Sequence, residues 1–391
     1  MSETAFTIPV GPQHPALKEP ENLMISVDGE RVVDVKIRLG YVHRGGEKAF
    51  EARNYTQGLY LVERICGICA MAHQLCYANN IEALLGVTIP RRADYIRTII
   101  AELERIHSHL LWIGVAGHEI GWDTLFMYTW RDREVVLDLM ELATGNRVLH
   151  ATNAIGGVKR DLTPEMISKI SKGMKHLEER VKYYATMIPK EKTIMKRAVG
   201  VGILKPQDAI DLCAVGPTLR ASGIKRDVRR DDPYSAYDET PFDVITHDGC
   251  DVASRVLVRV GELFESIKIV DHALEHLPSG PIRVKVPINV PAGENVSIVE
   301  APRGEDIHYC KSNGTDKPER YKVRAPTLAN WASMATMLRG GYVADIPIVL
   351  AAIDPCMSCT DRMAFTDVST NKKWCWTIEE LRRHSAKWRG K

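Results

Sequence analysis

The sequence predicts a mainly α fold, a large helical-bundle body with small β elements near the N-terminus and in the C-terminal third. Three observations carry this: long segments with apolar residues at helical spacing, a two-strand pattern ahead of them, and short β-like runs after Pro278-Ser279-Gly280.

In chain order, residues 23–27 and 33–37 are apolar-rich and flank Asp28-Gly29, a dipeptide suited to a tight hairpin turn. Residues 40–47 break the pattern with small and charged side chains, as a loop near a site would. From about Tyr55 to about Leu277 the pattern is mostly helical. In residues 91–113, Ile96, Ile99, Ile100, Leu103, Ile106 and Leu110 line one stripe. In residues 164–188, Ile167, Ile170, Met174, Leu177, Val181 and Tyr184 do the same; Thr163 can cap this helix, and Pro164 fits a first turn whose N–H would be unpaired anyway. In residues 250–271 the stripe is Val252, Val256, Val260, Leu263, Ile267 and Val270. Each stripe should bury one face. Residues 216–240 read as irregular, and 282–290 and 296–299 as short strands. No repeat and no Ser/Gly linker divides the chain.

With 391 residues, 45% hydrophobic and 26% charged, the chain can build a large core and is neither disordered nor fibrous. A net charge of +2 gives no reason to expect nucleic acid as a partner. No apolar stretch reaches the ~18 residues of a membrane span, and the first residues lack a signal peptide's basic and apolar regions. Nine cysteines in such a chain are expected to be thiols or metal ligands rather than disulfides.

Four of them form two Cys-x-x-Cys pairs, Cys66/Cys69 and Cys356/Cys359, at opposite ends of the chain. Two intervening residues let both sulfurs of a pair converge on one metal, and two pairs supply four. Spacing alone favours structural zinc; a thioredoxin-like redox pair is disfavoured because no βαβ pattern surrounds either pair. Structural zinc usually organises a local module, however, whereas these pairs span the helical body, as if the body existed to hold the metal. His73, four residues after Cys69, could face the same site. Cys76 reads as a core thiol, and Cys213, Cys250, Cys310 and Cys375 are isolated.

Glu63-Arg64-Ile65-Cys66-Gly67-Ile68-Cys69 and Asp354-Pro355-Cys356-Met357-Ser358-Cys359-Thr360-Asp361-Arg362 resemble the two signature motifs of nickel–iron (NiFe) hydrogenase large subunits. The resemblance is closer to the energy-converting, membrane-associated branch, related to the quinone-pocket large subunit of respiratory complex I. Gly11-Pro12-Gln13-His14-Pro15-Ala16, Gly40-Tyr41-Val42-His43-Arg44-Gly45, Thr144-Gly145-Asn146-Arg147 and Gly216-Pro217-Thr218-Leu219-Arg220-Ala221-Ser222-Gly223 extend it along nearly the whole chain.

The resemblance implies a nickel–iron centre with CO and cyanide on the iron. Cys66 and Cys356 would be terminal nickel ligands, Cys69 and Cys359 would bridge to iron, and Cys356 would accept the proton when H2 is split. Glu19 takes the position of the first proton relay. Arg303, in Glu300-Ala301-Pro302-Arg303-Gly304, would hang a guanidinium over the metals, with Asp354 beside it. Pro302, Arg324, Pro326 and Thr327 would add contacts to the cyanides, and Glu47 matches a magnesium ligand of other hydrogenases. Arg362 stands where many relatives have histidine, and in this branch a maturation protease cleaves after that arginine. Residues 1–362 are then one large-subunit domain, and 363–391 an extension removed on maturation. Implied partners are a small iron–sulfur subunit holding the Fe-S clusters, membrane ion-pump subunits and ferredoxin, with the chain peripheral on the cytoplasmic side of the cell membrane. The alternatives are a complex I-like quinone-pocket subunit without nickel, with His14 near the pocket, and a zinc-stapled scaffold.

Overall fold

The computed structural model describes residues 5–360, 365–366, 370, 373–374 and 378–389. The proposed cleavage point, Arg362, lies outside them. Three strands, Ala5–Val10, Asn22–Asp28 and Arg31–Arg38, form an antiparallel sheet in chain order. The hairpin closes with Asp28 opposite Arg31, and Gly29 supplies the positive φ the turn requires (59°). The helical body follows: Ala70–Leu85, Arg91–Ile120, Asp123–Thr144, Pro164–Met187 and Val252–Glu275 are its long helices. A second antiparallel sheet, Gly293–Ala301, Gly304–Ser312 and Pro318–Arg324, packs against Ala70–Leu85. The architecture is therefore mainly α with small β elements at both ends of the body, as the sequence predicts. Among the described residues, no helix is long and apolar enough to cross a membrane.

Two expectations are corrected. Residues 282–290 are not a strand: only Arg283 makes a bridge, to Gly157, while Val158 N–H donates to Ile282 O and Val284 N–H to Gly156 O. Pro281, Pro287 and Pro291 remove the donors a ladder needs. The expected one-face burial holds for Pro164–Met187, where Ile170, Met174, Leu177, Val181 and Tyr184 are buried, Thr163 Oγ1 accepts from Met166 N–H, and Pro164 opens the helix. The Arg91–Ile120 helix is instead buried on nearly all sides, including Arg97, Glu102, Glu104, Arg105, His107 and His109.

These polar side chains have buried partners. Glu102 accepts from Arg105 Nε (3.1 Å), Arg229 Nη1 (3.1 Å), Tyr237 OH (2.6 Å) and Ser266 Oγ (2.7 Å). Arg220 Nε donates to Glu262 Oε1 (2.8 Å) and its Nη1 to Glu300 Oε1 (2.8 Å), while Glu262 Oε2 meets His109 Nε2 (2.8 Å). Arg105 also donates to the carbonyls of Glu300 and Ala301. The network thus clamps the turn that carries Pro302 and Arg303 to the two central helices. One hydrophobic cluster runs from Val10 to Cys359 and takes in both cysteine pairs.

Candidate metal centre

Cys66 and Cys69 lie on the loop that enters the Ala70–Leu85 helix. Ile68 and Cys69 N–H groups donate to Cys66 Sγ at 3.3 and 3.2 Å, folding the loop around that sulfur. Helix entry is secured by Glu104, whose carboxylate accepts from Met71 and Ala72 N–H at 2.5 and 2.9 Å. Cys356 and Cys359 sit in a single 3₁₀ turn after Ile346–Ala352, with Cys356 N–H donating to Thr327 Oγ1 (3.2 Å).

All four sulfurs are buried and converge: Cys66 to Cys356 3.4 Å, Cys356 to Cys359 2.9 Å, Cys69 to Cys359 3.9 Å. Hydrogen bonds from the neighbouring thiols hold Cys66 well below the usual thiol range, whereas burial, with hydrogen bonding to Cys356 and Cys66, pushes Cys359 well above it. A metal taken up here must therefore displace protons. Four soft donors in one dry pocket fit a thiophilic metal.

Cys66 and Cys356, but not Cys69 or Cys359, line a cavity of about 290 Å³ that also contains Glu19, Arg303 and Asp354, with Lys18 and Glu119 paired at 2.8 Å on its wall. Arg303 is buried and doubly held by one residue: its Nε donates to Asp354 O (2.8 Å) and its Nη2 to Asp354 Oδ1 (2.9 Å). Asp354 reaches both positions by adopting φ 53°, a strained choice for a non-glycine residue. Its Oδ2 is buried without a hydrogen-bond partner from the protein, and Asp354 lines the cavity. Glu19 accepts from Ser358 N–H (3.0 Å) and from Ser358 Oγ, which ties it to the second cysteine turn.

Thr327 touches Cys356 as described, and Pro302 and Pro326 are buried close by in sequence to Arg303 and Thr327. Arg324 and Glu47 have other partners. Arg324 donates to Glu305 O (2.9 Å) and to its carboxylate; Glu47 accepts from Lys322 Nζ (2.6 Å) and Val323 N–H (3.1 Å). His14 is exposed and caps its own turn through Ala16 N–H. His73 reaches Cys359 Sγ through Nε2 at 3.6 Å, and Cys76 is a buried thiol directed at the Ser297 carbonyl.

Three positioning residues receive no role from the sequence, although Arg44 and Gly216 fall in segments that carry the resemblance. Arg44 joins the two cysteine loops, donating to Arg64 O (3.1 Å) and Ile65 O (2.9 Å) on one and Ser358 O (3.2 Å) on the other. His107 receives Arg133 Nε–H on Nδ1 (3.0 Å), which leaves Nε2–H to donate to Ile68 O (3.2 Å); burial and the Arg133 charge keep the ring neutral. Gly216 abuts the Arg303 turn: a Cβ there would lie 2.3 Å from Arg303 O and 2.4 Å from Gly304 Cα, on a backbone at φ 67°. Both obstacles are backbone and cannot swing aside. Gly216→Ala is therefore expected to lower stability by on the order of 1–3 kcal/mol, read from a denaturant midpoint; an unchanged midpoint would remove Gly216 from this role.

The family model for the respiratory-chain NADH dehydrogenase 49 kDa subunit matches residues 119–289 and 283–362, and that for nickel-dependent hydrogenase matches residues 44–114. The chain is 41% identical to the membrane-bound hydrogenase subunit alpha of Pyrococcus furiosus, covering 96% of this chain and 91% of that one. It is 38% identical to an NADH-quinone oxidoreductase subunit of Rhizobium meliloti, covering 90% and 94%. The structure of an archaeal membrane-bound sulfane sulfur reductase contains a chain that superimposes with a TM-score of 0.88 at 31% identity, covering 93% of this chain and all of that one. A hydrogenase motif pair and a 49 kDa-subunit body thus occur in one polypeptide: the chain belongs to the family that unites the large subunits of energy-converting hydrogenases with the 49 kDa subunit of respiratory NADH dehydrogenase.

Proposed function

We propose that this chain is the catalytic subunit of a membrane-bound energy-converting nickel–iron hydrogenase, interconverting H2 with protons and electrons. The observation that supports this best is the gathering of four buried sulfurs, two of which line a cavity shared with Glu19 and Arg303. Structural zinc sites are closed, whereas a catalytic metal keeps an open position. Here two of the four sulfurs face open space, which favours the catalytic reading over a zinc staple. A quinone-pocket subunit has no use for the four thiols.

In this reading Cys66, Cys69, Cys356 and Cys359 would together hold a nickel–iron centre, Cys66 and Cys356 from the cavity side. Once bound, the group supplies heterolytic cleavage of H2 and its reversal. The protein supplies the rest. Cys356 Sγ accepts the proton, and the Glu19 carboxylate, fixed by Ser358, carries it toward the cavity wall where Lys18 and Glu119 pair. Arg303, immobilised by Asp354, holds a fixed positive charge beside the reacting atoms without reorganising; Pro302, Pro326, Thr327 and Arg324 shape the pocket around the iron's ligands. Glu47 is assigned to a magnesium ion. Electrons leave to an iron–sulfur partner subunit and on to ferredoxin; membrane pump subunits anchor the assembly, which places this chain peripherally on the cytoplasmic face. A protease removes residues 363–391 after metal insertion.

Elemental analysis and intact mass of the natively produced protein test the reading together. Nickel with at least one iron per nickel, on a chain ending at Arg362, is expected; zinc alone, or no metal, would overturn it. Glu19→Gln should keep that metal content yet slow H2/D2 exchange by about 10²–10⁴-fold. Exchange at the wild-type rate would exclude Glu19 as the relay.

A further inference from the structure

Behind the sulfurs, on the side of Cys359, a second cluster is unused by the chemistry above. His73 stands in the first turn of the Ala70–Leu85 helix, and Asp306 and His308 are alternate residues of the Gly304–Ser312 strand, so they share one face. All three side chains are at most 1% exposed. His73 Nδ1 lies 2.9 Å from Asp306 Oδ2 and 3.1 Å from His308 Nε2, and His308 Nε2 lies 3.1 Å from Asp306 Oδ2. The three atoms make a nearly equilateral triangle.

Hydrogen bonding alone accounts poorly for it. Both oxygens of Asp306 are buried with no partner of acceptable hydrogen-bond geometry, although ring nitrogens stand within 3.1 Å of one of them. The two rings hydrogen-bond to each other, His73 Nδ1 with His308 Nε2, which leaves the carboxylate beside them without a donor aimed at it. Donors this far apart are also within reach of a single ion about 2.1 Å from each. The outer nitrogen of each ring also has a partner: His308 Nδ1 meets Tyr321 OH at 2.6 Å, and His73 Nε2 meets Cys359 Sγ. Imidazoles that bind metal through one nitrogen are held through the other in this way.

We propose that His73, Asp306 and His308 form one face of a mononuclear site for a divalent first-row transition ion, iron(II) or zinc, separate from the ions held by the four thiolates. Two imidazoles and one carboxylate select such ions over magnesium, which prefers oxygen throughout. With Nδ1 of His73 on the ion, Nε2 must carry the proton and donate to Cys359, so the ion would fix the hydrogen bond received by that sulfur.

The test uses the full chain with Cys66, Cys69, Cys356 and Cys359 all changed to serine, which removes the sulfur donors of the first cluster and keeps the three side chains of the triad. Loaded with zinc chloride or, anaerobically, with ferrous ion, this chain should bind one equivalent, and X-ray absorption should show only nitrogen and oxygen neighbours at about 2.1 Å. Asp306→Asn and His308→Gln in the same background should each lose that equivalent. Tyr321→Phe, which removes only an outer hydrogen bond, should weaken it about 10-fold. No uptake by the parent, a sulfur-containing shell, or equal uptake by parent and Asp306→Asn would each overturn the proposal. The measurement does not depend on nickel or on H2 activity, so the hydrogenase reading and this site can fail separately.

Discussion

Cys356→Ser is expected to lower H2 oxidation by on the order of 10³-fold or more, equivalent to a barrier increase of about 4 kcal/mol. Cys356 is placed to do two things at once. Its sulfur is shared between the four-cysteine cluster, 3.4 Å from Cys66 and 2.9 Å from Cys359, and the cavity that the proposed reaction uses. Serine keeps the volume but offers a hard, strongly basic oxygen where a soft donor is needed, so both metal retention and proton acceptance suffer. Dye reduction under H2, together with nickel counting, checks both effects. Activity within tenfold of wild type at full nickel content would dismiss Cys356 as a ligand and base.

A comparable loss, in stability rather than turnover, should follow Glu262→Ala. Its two oxygens are divided between Arg220 and His109, all three residues being buried. The positive neighbour Arg220 and the His109 hydrogen bond hold its carboxyl well below the ordinary range despite burial. Removing it strands the Arg220 guanidinium in a dry interior. A loss of about 3–5 kcal/mol is expected from denaturant titration. Because Arg220 also donates to Glu300, the Arg303 turn should loosen as well, lowering turnover in whatever folded protein remains. A change below about 1 kcal/mol would mean that the network relaxes or admits water at no cost in folding free energy.

Much of this is legible in the sequence, for identifiable reasons. The spacing of two Cys-x-x-Cys pairs points to a metal site, the surrounding motifs to which metal, and the three apolar stripes at residues 91–113, 164–188 and 250–271 each correspond to a helix. What escapes is whatever acts through the backbone. Arg44 and His107 hold the cysteine loops by their carbonyls, and a carbonyl has no letter in the sequence. The stretch containing Asp306 and His308 alternates as a strand should, but its charged residues suggest a wet face, whereas that face is interior. Periodicity likewise finds the Arg91–Ile120 helix but cannot foresee that its polar side is buried too, since partners for Glu102 and Arg105 come from residues more than 100 positions away.

The ladder between the two ends of the body has a consequence for the order of folding. Val32 N–H donates to Gly341 O, Gly340 N–H to Val32 O and Val343 N–H to Glu30 O, so the segment leading to Cys356 is stitched to the N-terminal sheet. Arg31 reinforces the seam across 309 positions, donating to Gly340 O at 2.8 Å. Closing so long a loop is entropically unfavourable until the intervening helices have collapsed. Cys66 and Cys69 would then be presented by an early helical body, and Cys356 and Cys359 would arrive as its final strand-like clasp closes. Until that moment the pocket stands open, which gives a metal a period of easy entry that the finished fold denies.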